Sequence, residues 1–265
     1  MFSPYYAWTG WADPYRHCAV NIALYGPGRR RWAMTERGAK ALIRDTDTLA
    51  IGASRLVWDG AALTIQIDEI TAPIPSRIRG AVRLHPAGLN DQTFALDSGG
   101  KHRWRPIAPR TRVDVVLEKP GLSWSGDAYF DCNAGDEPLE QGISAWDWSR
   151  VHRPDDTLLF YDVMRRDGGE MRLALRAGAT GILDPIKSPD YTHLPRTGWR
   201  MPRAARGEGL RVIRTLEDAP FYSRSMLASQ DGDQDRIVHE SLSLDRLRSP
   251  IVRAMLPFRM PRVFW

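Results

Sequence analysis

Two short segments carry residue types suited to acid catalysis without a cofactor. In Lys101-His102-Arg103-Trp104-Arg105, strand alternation sets His102 and Trp104 on one face and Arg103 and Arg105 on the other. Arginine pairs seldom face a core, so His102 and Trp104 are expected to point inward. Over residues 126–133, the same rule separates Ala128, Phe130 and Cys132 from Asp127, Tyr129, Asp131 and Asn133. Two readings of that strand stand open. Either its apolar face is core and its polar face is solvated, or the polar face lines a cavity. In a cavity, a carboxyl walled by aromatic rings has its pKa raised by desolvation and stays protonated near neutral pH. Such an acid can protonate a carbon–carbon double bond. Trp and Tyr faces would steady the carbocation by about 0.5–2 kcal/mol each. His102 or the spent carboxylate would take a proton from the incoming water.

Other chemistries find little support. The sequence has no Gly-x-x-x-x-Gly-Lys-Ser/Thr loop, no His-Glu-x-x-His, no paired Cys-x-x-Cys and no Gly-x-Ser-x-Gly elbow. Its six histidines, at 17, 85, 102, 152, 193 and 239, form no close metal-ligand spacing. A metal or nucleotide enzyme is therefore not expected. Cys18 and Cys132 are too few for a disulfide scaffold and read as reduced thiols. Net charge is +5, but the basic residues are scattered, with one run at Arg29-Arg30-Arg31. No basic stripe or reading motif points to nucleic acid. A mildly basic face suits an anionic membrane surface.

The elements that must position these residues read as β. Strand candidates span residues 18–25, 31–35, 49–58, 62–70, 77–84, 93–96, 103–107, 112–117 and 123–132. Further candidates follow at 157–165, 171–176, 210–215, 222–228 and 236–242. Asp59-Gly60, between the third and fourth, is a hairpin signal. Many short strands broken by Gly and Pro suggest barrels or sandwiches rather than βαβ units. One helix is expected near the end, with Leu244, Leu247, Ile251, Met255 and Phe258 on one face. Pro250 would kink it and Pro257 end it. That helix either packs on a barrel or lies at a membrane interface, since residues 259–265 mix Arg with Phe and Trp. Trp146-Asp147-Trp148 either lines the same cavity or supplies core area. Asp136 and Glu137 precede Pro138 and suit a turn cap or groups behind the site. With 265 residues, 43% hydrophobic, there is one large domain or two small ones. No run approaches the roughly 18–20 apolar residues of a spanning helix, and residues 1–6 show no secretory signal. A soluble or peripherally bound intracellular protein is expected.

The chain resembles the carotenoid 1,2-hydratases, also called hydroxyneurosporene synthases. The resemblance lies in residues 2–8 (FSPYYAW), 17–26 (HCAVNIALYG), 31–38 (RWAMTERG), 102–109 (HRWRPIAP), 131–140 (DCNAGDEPLE), 215–222 (TLEDAPFY) and 255–262 (MLPFRMPR). It implies addition of water to the terminal C1–C2 double bond of acyclic carotenoids such as neurosporene and lycopene, in pathways of phototrophic bacteria. The family's His-x-Trp and Tyr-x-Asp patterns match His102/Trp104 and Tyr129/Asp131. The resemblance gives Asp131 the role of proton donor. With it, Tyr129 and Trp104 are expected to stabilise the cation, and His102 to orient or deprotonate water, with no cofactor or metal. It further implies two lipocalin-like β-barrels in tandem, expected over 1–110 and 111–265. A membrane-dissolved substrate implies a cytoplasmic enzyme peripherally associated with the inner membrane. Two other readings are an apolar-ligand carrier that has lost activity and a cyclase of the same superfamily. Relatives continue upstream of the stretch like residues 2–8, so the first barrel is expected to lack one or two strands and to show an open edge there.

Overall fold

The computed structural model describes residues 3–26, 30–229 and 235–263. Phe2, Arg29, Phe264 and Trp265, which figure in the expectations above, lie outside the described residues. The fold is all-β, with short helical segments near the C-terminus. Two compact units form. One comprises Met1–Pro86, Thr111–Ala128 and Arg253–Trp265; the other comprises Ala87–Arg110 and Tyr129–Val252. The strands His102–Lys119 and Leu122–Gly135 supply residues to both.

In the first unit, neighbouring antiparallel strands run from Leu42–Arg44 through Thr48–Ile51, Ser54–Trp58 and Leu63–Ile70 to Arg77–Pro86. Asp59-Gly60 closes a hairpin as expected: Trp58 pairs with Leu63, and the Asp59 carboxylate accepts from the N–H groups of Ala61 and Ala62. The expected strand over 49–58 is instead two strands. Gly52, at φ +63°, turns the chain so that Ile51 pairs with Ser54. His17 and Glu36 are both buried, with His17 Nδ1 and Glu36 Oε1 2.8 Å apart. Arg262 closes on the same carboxylate, tying the beginning of this unit to its end. The strands expected at 103–107 and 112–117 are continuous. Pro106 and Pro109 fit because the carbonyls of Ile107 and Arg110 accept from Asn90 and Ala87 there, and no proline N–H is needed.

The second unit holds a seven-stranded antiparallel sheet. Its order is Leu183–Pro185, Glu170–Ala177, Thr157–Arg165, Ile143–His152, Arg236–Ser243, Tyr222–Ala228 and Arg211–Asp218. The strand Ile143–His152, unforeseen from sequence, lies at its middle. Alternation sends Trp146 and Trp148 to one face and Asp147 and Ser149 to the other. On the second face Val151, Leu158, Phe160, Leu227 and Ile237 form a core with Leu194 and Ala205 from the hairpin Tyr191–Leu194/Arg203–Arg206.

That face also buries a polar network. Ser241 Oγ donates to Asp147 Oδ1 at 2.5 Å, and His239 lies 3.0 Å from both Ser241 and Ser149. Arg206 pairs with Asp162 at 2.6 Å. Arg203 donates to Ser225 at 2.8 Å and to the Pro195 carbonyl.

The C-terminal helix differs from expectation. Leu244–Leu247 is capped by the Ser243 side chain, Pro250–Met255 is a second helix and Leu256–Phe258 a 3-10 turn. Pro250 cannot continue the first helix and opens the second, a position that suits its missing N–H. The expected stripe is therefore split. Leu244 and Leu247 are buried, while Ile251 and Phe258 are 74% and 73% exposed.

The network makes stability depend on pH. Burial pushes the Asp147 carboxyl up to about 7, against its Ser241 hydrogen bond. Burial, with the Arg203 charge, pulls His239 down to about 3. The folded state thus keeps the Asp147 proton where the unfolded chain has released it, so this group's contribution falls as pH rises from 3.8 towards about 7. His239 acts oppositely, costing stability as pH drops below 6.5 towards about 3. Relative to Asp147→Asn, the natural chain should lose roughly 2 kcal/mol between about pH 5 and about pH 7 in denaturant titrations. A constant offset between the two proteins would show that Asp147 is not held protonated.

Candidate active site

The site assembles in the second unit from the two segments singled out at first. Tyr129 and Asp131 are two residues apart on Leu122–Gly135 and so share a face. Trp104 is fully buried on His102–Lys119, beside Phe94 across a short antiparallel pairing. Trp104 Nε1 donates to Asp131 Oδ2 at 2.7 Å, and the Tyr129 hydroxyl donates to the same oxygen at 3.1 Å. Both donors converge on Oδ2, which favours Oδ1 as the oxygen that carries a proton.

Aromatic rings surround this carboxyl. The Trp104 ring lies 5.2 Å from Tyr161, edge to face, and 5.8 Å from Phe94. Trp148 lies 5.3 Å from Tyr129, and Trp146 6.0 Å from Tyr161. The Trp146-Asp147-Trp148 segment therefore joins the aromatic group on one face and the polar network on the other. Cross-strand pairing sets Glu240 opposite Trp148, and Arg224 Nε donates to Glu240 at 2.8 Å.

The electrostatics follow from this enclosure. Burial raises the Asp131 pKa; the hydrogen bonds from Trp104 and Tyr129 pull it back, and the charge of Glu240 adds to the rise. Tyr129 is pushed well above its ordinary value by burial and by Asp131, so it serves as a fixed donor. On the polar side of this strand Tyr129 and Asp131 are half-buried against the rings and Asn133 is exposed; its apolar side is not core, with Cys132 exposed and Phe130 half-buried.

His102 is buried, as alternation requires, but makes no contact with this carboxyl. Its ring lies between Gly135 and Gly142, with Nε2 3.6 Å from Glu137 Oε1. Trp104, Tyr129 and Asp131 are therefore directly bonded together, and His102 sits two residues further along the strand. Tyr161 and Glu240 were not visible as site residues from sequence. Tyr161 sits within the apolar run Leu158-Leu159-Phe160-Tyr161, and Glu240 reaches the site only through sheet pairing. Among the described residues, no group of three or more His, Cys, Asp and Glu is arranged to hold a metal ion.

The sequence matches the carotenoid hydratase CrtC family over residues 1–264. The chain belongs to this carotenoid hydratase family. Among similar curated proteins, an acyclic carotenoid 1,2-hydratase of Thiocapsa roseopersicina is 53% identical over 99% of this chain and 67% of its own length. The corresponding hydratase of Rubrivivax gelatinosus is 46% identical with the same coverage. That of Cereibacter sphaeroides is 40% identical over 99% of this chain and 95% of its own length. A crystal structure from Nitrosomonas europaea assigned to the AttH type superposes with a TM-score of 0.57, covering 84% of this chain and 80% of that one, at 13% identity. That likeness bears on the fold, which is lipocalin-like.

The Trp104 hydrogen bond has a measurable consequence. Trp104→Phe keeps a ring but removes the donor that lowers the Asp131 pKa. The alkaline limb of the hydratase pH–rate profile should then move to higher pH, with a loss of about 1–3 kcal/mol in fixing the carboxyl. An unmoved limb in the folded variant would remove Asp131 as the group that sets it.

Proposed function

We propose that this chain is a hydro-lyase that adds water to the terminal C1–C2 double bond of acyclic carotenoids by acid catalysis. The observation that supports this reading best is Asp131, a carboxyl with a raised pKa held by two donors among aromatic rings. Asp131 gives its proton to C2, forming the C2–H bond and leaving a tertiary cation at C1. The faces of Tyr129, Trp148 and Tyr161 stabilise that cation, by about 0.5–2 kcal/mol for a well-placed ring. Trp104 shares this task through its ring and orients the acid through its N–H. Water adds to C1, and its surplus proton passes to His102. His102 releases that proton to solvent and Asp131 regains one, so the cycle balances with no cofactor.

Asp131→Asn keeps the shape of the carboxyl but has no acidic proton to deliver. Hydroxylated product from lycopene or neurosporene should fall by about 10²-fold or more while the protein stays folded. His102→Ala should lose less, because water attacks a tertiary cation with little help. Turnover like the natural chain's in folded Asp131→Asn would overturn the mechanism. Unchanged carotenoid retained by the natural chain would favour a carrier instead, and a new ring would favour a cyclase.

The substrate's apolarity calls for a membrane surface, and we place the enzyme peripherally on the inner membrane. No helix among the described residues is long and apolar enough to cross a membrane. Ile251, Met255 and Phe258 are exposed, with Arg248, Arg253 and Arg259 in the same stretch. Several arginines of the tail are also engaged in the fold: Arg246 with the carbonyls of Trp199 and Pro220, Arg262 with Glu36, Arg253 over the Trp11 ring and Arg259 over the Trp32 ring. Each basic residue near an anionic surface is worth up to about 1 kcal/mol, falling with salt. Sedimentation with anionic vesicles should therefore weaken at high salt and in an Ile251→Ser/Phe258→Ser variant. Equal partitioning with and without anionic lipid would sink this placement.

A further inference from the structure

The surroundings of His102 contain a group that the reaction scheme above does not use. His102 Nε2 is buried and has no hydrogen-bond partner. Its nearest carboxylate oxygen is Glu137 Oε1 at 3.6 Å, just beyond a direct bond. A buried ring nitrogen facing a carboxylate at that distance is closed by a small approach or by one bridging water.

The chain around this pair is built to hold it. A Cβ at Gly135 would lie 3.0 Å from His102 Nδ1. A Cβ at Gly142 would lie 3.0 Å from Nε2 and 3.3 Å from Glu137 Oε1. Two glycines thus leave a slot that the ring and the carboxylate share. The residues on either side of His102 fix the opposing loop. Lys101 Nζ reaches Glu137 Oε2 at 2.6 Å, and Arg103 grips Asp136 with two bonds of 2.7 Å each. The Lys101 carbonyl accepts from the Asp136 N–H, and the Asp97 carboxylate accepts the His102 N–H at 2.6 Å. Three consecutive side chains, Lys101, His102 and Arg103, are therefore each matched to the Asp136-Glu137 loop.

We infer that Glu137 is a positioning residue, which fixes the tautomer of His102 and takes the charge of its protonated form during water addition. This rests on the proposed role of His102 as the acceptor of the water proton. A carboxylate opposite Nε2 holds the ring proton there and leaves the lone pair on Nδ1. As water forms its C1–O bond, one O–H bond breaks and that proton passes to Nδ1. The imidazolium gives up the Nε2 proton to Glu137, which passes it to solvent beside the 58% exposed Lys101. Asp97 and Asp136 also act electrostatically on the ring.

Two measurements test the inference, one of them independent of turnover. In 15N spectra of the natural chain, neutral His102 should carry its proton on Nε2, and Glu137→Gln should make the tautomers mix. In kinetics, Glu137→Gln should lower kcat about tenfold with KM little changed. The same substitution in a His102→Ala background should add nothing. A neutral His102 protonated on Nδ1 in the natural chain would overturn the inference, as would a full additive loss in the His102→Ala background. If Asp131→Asn is inactive while Glu137→Gln matches the natural chain in kcat and tautomer, the role of Glu137 fails and the hydration scheme stands. If Asp131→Asn remains active, the scheme itself fails.

Discussion

Everything at the candidate site depends on one carboxyl held out of water by the groups that also bond to it. Desolvation and hydrogen bonding act on Asp131 in opposite directions. Enclosure favours the neutral acid, while the donors Trp104 Nε1 and Tyr129 OH favour the charged form. Were desolvation to act alone, the proton would be held but the carboxyl would be free to turn. Were the donors to win, the group would be an oriented carboxylate with nothing to give. The net upward shift favours the proton, and the two donors fix the direction of the carboxyl. The aromatic side chains serve twice, since the surface that excludes water also offers π-faces to a cation formed beside the acid.

Strand alternation is the constraint through which the sequence builds this arrangement. Ile143–His152 shows it most fully. Trp146 and Trp148 join the rings around Asp131, while Asp147 and Ser149, one residue out of phase, enter a network of serines, His239 and arginines. A shift of one residue in its pairing would exchange the two sets and destroy both. Pairing on either side, with Thr157–Arg165 and Arg236–Ser243, fixes that register over the strand's length.

The same double commitment explains what could be read in advance. Thr157–Arg165 and Tyr222–Ala228 have the bounds expected from their apolar runs. Ile143–His152 carries no clear strand signal, because neither of its faces is simply apolar or simply polar. Arg203–Arg206 is not legible in advance, because burial of both its arginines runs against composition and rests on distant partners such as Asp162, Ser225 and the Pro195 and Pro189 carbonyls. The pairs His102/Trp104 and Tyr129/Asp131 were legible from alternation within each segment and from the family resemblance. What spacing could not convey was that Trp104 bonds to Asp131 while His102 faces Glu137. A proline that merely kinks a helix keeps its face, whereas Pro250 opens a new helix and resets it, which is why Ile251 and Phe258 are exposed.

Asp131 is not the only carboxyl in the second unit with a raised pKa, and comparison with Asp147 shows what makes a site. Asp147 is pushed up to about 7, so acidity alone would make it a proton donor near neutrality. Its surroundings argue otherwise. One oxygen accepts from Ser241, and the backbone N–H of Ala204 also bonds to the carboxyl. The neighbouring charges include the guanidinium of Arg206, and Arg203 acts on the adjacent His239. A carbocation formed beside that network would lie against the buried Arg206–Asp162 ion pair, the Ser241 hydroxyl and His239, groups already bonded to one another. Beside Asp131 the same cation meets ring faces; Glu240, itself paired with Arg224, acts there with negative charge, and Arg150, 5.8 Å from the centre of the Tyr129 ring, with positive charge. A raised pKa marks a buried acid; the ring faces around it favour the development of positive charge, and on that ground we place the proposed chemistry on the aromatic face of the sheet.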